Sequence, residues 1–324
     1  ALAQLLVVQV GREHVVAEGH LLEDVLDRAH LLDGPDLLQE GHHREFAAED
    51  LRRLGQDLFT TVGVPADEAA LVADHMVESG LLGHDSHSVL RFPQYTDMVR
   101  TGKVTPGAPL EILREHDSVV QVNGNWNYGP VTATRATELA IERVKDRAMS
   151  VVTVRGCNHV ARLGRFVHMV AQHEHLIGLM CANGHGSDLA VAPFGGRERR
   201  LPTNPLAVGI PTRREWPIVL DMTTSMTSGG ALREYRNRND PAPDGSIVDG
   251  HGRATTNVED YYNEPLGAML PLGFPLVGHK GTGLAVVIDI LSGALSGAGC
   301  SQADPPESGN ALFLAILDIR AFRE

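Results

Sequence analysis

Four short runs of β-branched and aliphatic residues constrain the fold of this chain more than any other feature. Each run has the length and composition of a strand, and helical patterns over residues 131–147 and 164–174 separate the first three. In chain order, the runs are SVVQVNG, SVVTVRG, LIGLMCAN and ALFLAILDI. Two more short strands, PLAVGIP and WPIVLDM, flank a turn at residues 212–215. This alternation predicts an α/β fold built on a sheet.

Helices dominate the chain before these strands. Apolar residues recur at helical spacing over residues 51–62, where Gly63 ends the pattern, and over residues 67–79, where Gly80 ends it. The stretch GHDSHSVLRFPQY then reads as a polar loop, and a short helix follows it.

The sequence divides into three parts. Residues 1–44 form an atypical N-terminal extension with a possible helix in GHLLEDVLDRAHLLDG, residues 45–115 a smaller helical domain, and residues 116–324 an α/β domain. Residues 228–270 are rich in Gly, Pro, Asn and Asp, which predicts a long and irregular surface excursion. Residues 279–297 predict a helix so uniformly apolar that we expect it to be buried.

Charge and cysteine content narrow the range of partners. The formal net charge of −13 gives no overall attraction toward nucleic acid or an anionic membrane. No apolar run is long enough to span a bilayer. Cys157, Cys181 and Cys300 show neither a disulfide framework nor zinc spacing, so we expect a cytoplasmic protein.

Common nucleotide, metal and nucleophile motifs are missing from the sequence. There is no GxGxxG, GxxxxGK[ST], CxxC, HExxH or GxSxG, and the nearest glycine run, Gly278–Gly283, has the wrong spacing. Any nucleotide must therefore bind through something other than the usual glycine-rich turn.

The stretch Gly83–Tyr95 leaves three interpretations open: a metal site, a substrate site and a solvated polar turn. His84 and His87 are spaced like two metal ligands, but no second cluster with matching spacing exists, and no metal is expected. Arg91 favours a substrate site. A guanidinium binds a carboxylate through two parallel hydrogen bonds, and a nearby imidazole exchanges protons near neutral pH.

Other segments also carry reactive groups. His159 follows a buried strand and is either a general acid/base or a cap of the next helix, while Cys157 raises a weaker Cys–His nucleophile hypothesis. Leu220–Ser225 (LDMTTS) ends a strand with an acid and three hydroxyls. His279 and Lys280 precede a helix N-terminus, which suits an anion.

Taken in order, five stretches resemble the type-2 malate/L-lactate dehydrogenase family, which includes ureidoglycolate, sulfolactate, diketogulonate and hydroxycarboxylate dehydrogenases. The resemblance spans about residues 45–320, through HDSHSVLRFPQY, CNHVARLG, APFGGRERRLPTNPLAVGIP, IVLDMTTS and LPLGFPLVGHKGTGLAVVIDILSGALSGAG. It implies a nicotinamide-dependent fold that is not Rossmann, with a mixed sheet domain that binds cofactor and substrate. It also implies NAD or NADP, a small 2-hydroxy or 2-keto carboxylic acid as substrate, and a homodimer.

The resemblance further implies roles for individual residues. His159 and His87 both match histidines that members of the family use to transfer a proton, and we favour His159 as the acid/base. Ser86, Arg91 and Tyr95 match positions of the substrate pocket, with Arg91 as the carboxylate partner. The implied cofactor-binding residues are Arg162, Leu163, Gly164, Asp221, Met222, Thr223, Thr224, Ser225, His279 and Lys280.

Several positions depart from the family pattern. Ser88 stands where a glycine follows the histidine, Pro202 where a glycine precedes Thr-Asn-Pro, and Phe274 interrupts a Gly-Gly pair. Residues 1–44 have no counterpart, and the family continues past the last strand into another cofactor-contacting segment. These departures motivate an alternative: a catalytically impaired, cofactor-binding paralogue or a fragment.

Overall fold

The computed structural model describes residues 14–18, 43–185, 189–303 and 307–322. The possible helix in residues 19–34 lies outside the described residues. The helices are α1 (Ala48–Thr61), α2 (Ala66–Leu81), α3 (Phe92–Arg100), α4 (Gly129–Val144), α5 (Gly164–Ala171), α6 (Gly229–Asn237), α7 (Glu259–Tyr262) and α8 (Gly278–Asp289). The strands are β1 (His14–Glu18), β2 (His43–Ala47), β3 (Glu111–His116), β4 (Val119–Asn123), β5 (Met149–Cys157), β6 (Leu176–His185), β7 (Leu206–Ile210), β8 (Ile218–Met222), β9 (Ile247–Val248), β10 (Ala254–Thr255), β11 (Ala268–Met269) and β12 (Gly309–Asp318).

Seven strands form one mixed sheet in the order β3-β4-β5-β12-β6-β7-β8. β4 and β5 are parallel, and all other neighbours in this sheet are antiparallel. A Rossmann sheet is mostly parallel, so the predicted non-Rossmann α/β fold is confirmed. The predicted division into domains stays a prediction; β3 falls almost wholly inside the predicted helical segment, yet it pairs with β4.

Helices α4 and α5 pack against the sheet and bury the main apolar core. Val152 and Leu314, from the neighbouring strands β5 and β12, are fully buried in it together with Phe166 of α5. A Cβ at Gly209 of β7 would lie 2.1 Å from the backbone oxygen of Val167, so α5 reaches the sheet only because this residue is glycine.

Helices α1, α2 and α3 surround a second core, which contains Phe59, Met76 and Phe92. Tyr128, just before α4, joins this core and stacks on Tyr95 with ring centroids 5.4 Å apart. Both early helices that the sequence predicts are confirmed, and the start of α4 connects the helical core to the sheet.

The prediction of an irregular surface excursion over residues 228–270 is wrong. This segment contains α6, α7 and a three-stranded antiparallel sheet in the order β10-β9-β11. Leu232, Ile247 and Tyr261 are buried in a core of their own, which extends to Ala285 of α8. The sequence hides this core because few apolar residues form it and turn-forming residues separate them.

The prediction that residues 279–297 are buried is also wrong, although the helix exists. α8 and the π-helical turn at Ile290–Ala294 pack on one side only. On the other side, exposure reaches 52% at Val287 and 53% at Leu295. Composition misled here because the exposed side is as apolar as the packed one. Within the described residues, no helix is long and apolar enough to cross a membrane.

Candidate active site

The segment between α2 and α3 is compact. Two short 3-10 turns, Asp85–His87 and Val89–Arg91, lead directly into α3. Ser88 and Arg91 are buried, with 2% and 8% exposure, and Val89 is part of the helical core. The interpretation as a solvated polar turn is therefore wrong, because Val89 packs in the helical core and Ser88 and Arg91 beside it are buried. Ser88 has a φ of −95°, so its backbone does not require the glycine that the family has there.

His159 is held by Tyr95. The phenol oxygen of Tyr95 lies 2.8 Å from Nδ1 of His159 and 2.8 Å from the backbone oxygen of the same residue. A carbonyl oxygen only accepts, so the phenol donates its one hydrogen to it and accepts from Nδ1–H. The neutral imidazole therefore has its lone pair on Nε2. Because Tyr95 is fully buried, its hydroxyl acts through His159 and does not line an open pocket.

His87 lies face to face with His159. The two rings are stacked, with centroids 5.6 Å apart and planes 13° apart. Oγ of Ser86 lies 2.9 Å from Nδ1 of His87. Two histidines that are distant in the sequence thus share one site, as the family resemblance implies.

Arg91 is fixed beside these rings. Its Nε donates to the backbone oxygen of Ser86 at 2.8 Å, and one Nη donates to Oε1 of Gln94 at 2.6 Å. Its positive charge contributes to lowering the pKa of His87 and the pKa of His159.

The surroundings of both imidazoles favour the neutral form. Burial, followed by the positive charges of Arg91 and Arg233, lowers the pKa of His159 to about 3. Burial, followed by neighbouring His159 and Arg91, lowers the pKa of His87 well below its usual range. A carboxylate bound to Arg91 would offset its charge and raise the pKa of His159 again. The arrangement therefore suits proton exchange at an oxygen next to a carboxylate.

A second polar cluster lies where the loop before α5 meets the end of β8. The Gly164 N–H donates to Oδ2 of Asp221 at 2.7 Å, and a Cβ at Gly164 would lie 2.8 Å from an Nη of Arg162. Burial raises the pKa of Asp221 to about 6.

Arg162 is the most unusual member of this cluster. It is 4% exposed, yet Nε and Nη2 have no hydrogen-bond partner among the residues that the structure describes. Nη2 lies 3.3 Å from Oε1 of Glu78, with which it forms an ion pair. A buried guanidinium whose Nε makes no hydrogen bond to the described residues, beside the carboxyl group of Asp221, fits the polar or anionic parts of a nicotinamide cofactor.

The segment after Asp221 is fixed by its own hydroxyls. Oγ1 of Thr224 donates to the backbone oxygen of Thr203 at 2.9 Å, and Oγ of Ser225 donates to that of Thr227 at 2.6 Å. Both hydroxyls are therefore engaged within the protein. Their part in any binding site is to hold the backbone of the strand end in place.

The remaining predicted cofactor residues surround this strand end. Leu163 is buried next to Arg162. The Leu272 N–H, in the loop before α8, donates to the backbone oxygen of Thr224 at 2.9 Å, so the start of α8 lies near the strand end. The more accessible predicted residues are Met222, Thr223, His279 and Lys280.

Sequence reasoning missed two residues of the site. Arg233 on α6 contributes to the low pKa of His159. His75, fully buried in α2, accepts the backbone N–H of Arg162 at Nε2, at 3.2 Å. Arg233 falls in the segment predicted to be irregular, and His75 follows the apolar periodicity of its helix, so neither stood out. The only available signal was Gly229-Gly230 before Arg233, a pair that permits close approach of a helix.

Two other hypotheses, a Cys–His nucleophile and a metal site, find no support in the described residues. Burial raises the pKa of Cys157 to about 12, which keeps the thiol protonated and unreactive. Within residues 14–18, 43–185, 189–303 and 307–322, no group of three or more His, Cys, Asp or Glu side chains is placed to hold a metal ion. All three cysteines are free, and the cytoplasmic location stays a prediction.

Known proteins of one family resemble this chain. A family model described as malate/L-lactate dehydrogenase matches residues 46–324. The malate dehydrogenase of Pyrococcus horikoshii is 38% identical over 272 residues, which cover 82% of this chain and 74% of that protein. The L-sulfolactate dehydrogenase of Methanothermobacter thermautotrophicus is 36% identical over 250 residues, covering 77% of this chain and 70% of that protein.

Solved structures give the same result. The malate dehydrogenase structure from Pyrococcus horikoshii matches with a TM-score of 0.74 and 34% identity, covering 85% of this chain and 76% of that one. None of these proteins supports the alternative of a catalytically impaired paralogue.

Proposed function

Because the chain belongs to the malate/L-lactate dehydrogenase family and is a dehydrogenase acting on a CH–OH group, we propose that it transfers a hydride between NAD or NADP and a small 2-hydroxy or 2-keto carboxylic acid. One observation carries the proposal. Nε2 of His159 is an unprotonated nitrogen, set by Tyr95, next to the fixed cation of Arg91.

Arg91 binds the substrate carboxylate. A guanidinium offers parallel N–H donors that match the two carboxylate oxygens. Since Ser86 and Gln94 already hold its side chain, little conformational entropy is lost when the substrate binds.

His159 exchanges the proton. During oxidation of a hydroxy acid, Nε2 takes the proton of the hydroxyl group, and during reduction the imidazolium returns one to the carbonyl oxygen. Acid/base assistance of this kind contributes about 10²–10⁴-fold to the rate. His87, stacked on His159 and hydrogen-bonded to Ser86, helps to orient the substrate.

When bound, the nicotinamide cofactor supplies or accepts the hydride. Arg162 offers it buried N–H donors, and Gly164, where a Cβ would clash with Arg162 and Asp221, lets the turn before α5 lie against both side chains. The other residues proposed to hold it are Leu163, Asp221, Met222, Thr223, Thr224, Ser225, His279 and Lys280.

The exposed side of α8 supports a homodimer. Val286, Val287 and Ile290 are exposed at helical spacing, and Leu276 just before the helix is 85% exposed. Packing two copies of this surface together would remove it from water. Sedimentation of the wild type and of Val287→Glu tests this: we expect a dimer that the substitution weakens, and a monomeric wild type contradicts the homodimer.

A screen of 2-keto acids with NADH and with NADPH tests the activity. We expect at least one 2-keto acid to oxidise one of the two cofactors, and the activity to survive a metal chelator. Cofactor binding, detected by fluorescence, without oxidation by any 2-keto acid would contradict the proposal and favour an impaired paralogue.

A further inference from the structure

The segment that carries His159 lies between β5 and α5, outside any helix or strand. β5 ends at Cys157 and α5 begins at Gly164. Because no helix or sheet ladder satisfies the backbone of such a segment, its shape depends on hydrogen bonds to side chains. The contacts of residues 158–162 therefore decide where the imidazole of His159 lies.

β5 bends just before this segment. Asn310 of the neighbouring strand β12 lies opposite Cys157, and the register shifts between Asn310 and Leu312, so that β5 has one residue more than β12 here. Gly156 has a φ of +60°, the left-handed conformation that one class of β-bulge requires. A bulge bends its strand and redirects the side chains beside it. The start of β12 thus lies against the chain that leaves β5.

Asn310 holds the peptide unit between His159 and Val160. Its Oδ1 accepts the N–H of Val160 at 3.0 Å, and its Nδ2 donates to the backbone oxygen of Asn183 on β6 at 3.0 Å. Because a backbone N–H only donates and a backbone oxygen only accepts, these two partners allow the side-chain amide one orientation. Val160 is 3% exposed, so its N–H depends on this acceptor rather than on solvent.

The other end of the same peptide unit is bound by Tyr95. The backbone oxygen of His159 accepts the phenol O–H at 2.8 Å. A Cβ at Gly129, the first residue of α4, would lie 2.1 Å from that oxygen, so the helix start also closes on the peptide unit. A peptide unit is planar, and hydrogen bonds at its two ends fix its plane and the direction of the Cα–Cβ bond of His159. The sheet therefore helps to place the ring, as the helical core does.

We propose that Asn310 is a positioning residue for His159: through the N–H of Val160, it holds Nε2 of the imidazole where a substrate oxygen exchanges a proton. This inference rests on the proposed function, because it takes His159 as the acid/base. A misplacement of about 1 Å at this step can lower a rate by about 100-fold. Carboxylate binding depends on Arg91, which belongs to a different segment, so substrate affinity should not depend on Asn310.

A double-mutant cycle on the rate of hydride transfer in a single turnover tests this role, with a 2-keto acid and reduced cofactor that the wild type accepts. Asn310→Ala removes the acceptor and should lower this rate by about 10- to 100-fold, with little change in KM. In the His159→Gln background, the same substitution should cost almost nothing, because no imidazole is left to misplace.

Further variants separate positioning from stability. Asn310→Asp keeps an oxygen that accepts the N–H of Val160 and should recover part of the rate. Gln121→Ala is the matched control on β4, where Nε2 of Gln121 donates to the backbone oxygens of Leu295 and Ser296 at 3.2 and 2.8 Å. It should lower the stability to urea, as Asn310→Ala does, but keep the wild-type rate. Should Asn310→Ala fail to fold, Asn310→Ser, whose side chain ends one bond earlier, takes its place in the cycle.

The outcomes separate this inference from the proposed function. A loss of rate that disappears in the His159→Gln background supports the role of Asn310. Equal losses in both backgrounds, no loss in either, or an equal loss in Gln121→Ala overturns that role and leaves the proposed function standing. A His159→Gln variant with the wild-type rate overturns it as well, because His159 is then not the acid/base. A wild type inactive with every 2-keto acid overturns the proposed function, and this inference with it.

Discussion

The phenol of Tyr95 accepts a hydrogen bond from Nδ1 of His159 at 2.8 Å and donates one to the backbone oxygen of the same residue. Together these bonds set the orientation and the tautomer of the ring. Tyr95 is in turn stacked on Tyr128, whose hydroxyl donates to the Tyr95 backbone oxygen at 3.0 Å. The helical core, through Tyr95, thus determines which nitrogen of His159 is the base.

Tyr95→Phe should separate this positioning role from simple packing. The ring still fills the core, but Nδ1–H loses its acceptor and both tautomers become populated. Losing a hydrogen bond worth about 1 kcal/mol should lower kcat by about 3- to 10-fold with little change in KM. Tyr128→Phe removes a hydroxyl from the same core without touching His159 and is the control. Equal kcat values for Tyr95→Phe and Tyr128→Phe would contradict the role of Tyr95 in setting the tautomer of His159.

Arg91→Gln should affect binding and the pH profile together. Losing the charge-assisted pair, worth about 1.5–3 kcal/mol, should raise KM by about 10- to 100-fold. Because the charge of Arg91 lowers the pKa of His159, its removal raises that pKa. The acid limb of kcat/KM for hydroxy-acid oxidation should then move to higher pH. Arg100→Gln, at the far end of α3, is the control, and an unchanged KM in Arg91→Gln would contradict carboxylate binding there.

The buried histidines should make the fold sensitive to acid. Burial lowers the pKa of His159 to about 3, that of His84 to about 4, and that of His75 well below its usual range. Below about pH 6.5 the unfolded chain binds protons that the folded chain does not, so the free energy of unfolding falls as pH falls toward those lowered pKa values. Each such histidine contributes up to about 1.4 kcal/mol per pH unit in this window.

Urea unfolding at a series of pH values measures this slope. His75→Gln keeps an acceptor for the N–H of Arg162 and should reduce the slope by the contribution of one proton. His251→Gln, at an exposed position, serves as the control. A wild-type stability that is constant between neutral pH and about pH 5 would contradict the burial of these histidines in neutral form.

Arg162 should contribute to cofactor binding in a way that its neighbour Arg165 does not. Arg162→Gln removes buried N–H donors beside Asp221 and should weaken NADH or NADPH binding by about 10-fold or more. Arg165 pairs with Glu78 and Asp74, so Arg165→Gln should lower stability and leave the Kd of the cofactor unchanged. If both variants weaken the cofactor equally, the effect belongs to the ion pairs of Glu78.

The strands could be predicted because short runs of β-branched and apolar residues are typical of buried strands. SVVQVNG and SVVTVRG, both β-branched and apolar, became β4 and β5 in the middle of the core. No local sequence pattern indicated that His87 and His159 would lie next to each other. Their rings stack because the 3-10 turn Asp85–His87 and the loop after β5 lie against each other, and only the family resemblance implied this contact.

Other features depended on packing that composition does not encode. A uniformly apolar helix has the same sequence pattern whether both sides or one side of it are covered, so the exposure of Val287 was not visible. Arg233 acquires its place because Gly230 seats α6 on Ser86, a contact between distant segments. The resemblance placed Tyr95 in the pocket, but its hydrogen bonds assign it to His159.

The central claim is that His159, and not His87, exchanges the proton with the substrate. Single-turnover hydride transfer in His159→Gln and His87→Gln, each saturated with cofactor and substrate, tests it most directly. We predict a loss of about 10²–10⁴-fold for His159→Gln and a much smaller loss for His87→Gln, with cofactor binding retained in both. An inactive His87→Gln beside a His159→Gln that keeps nearly the wild-type rate would contradict the claim.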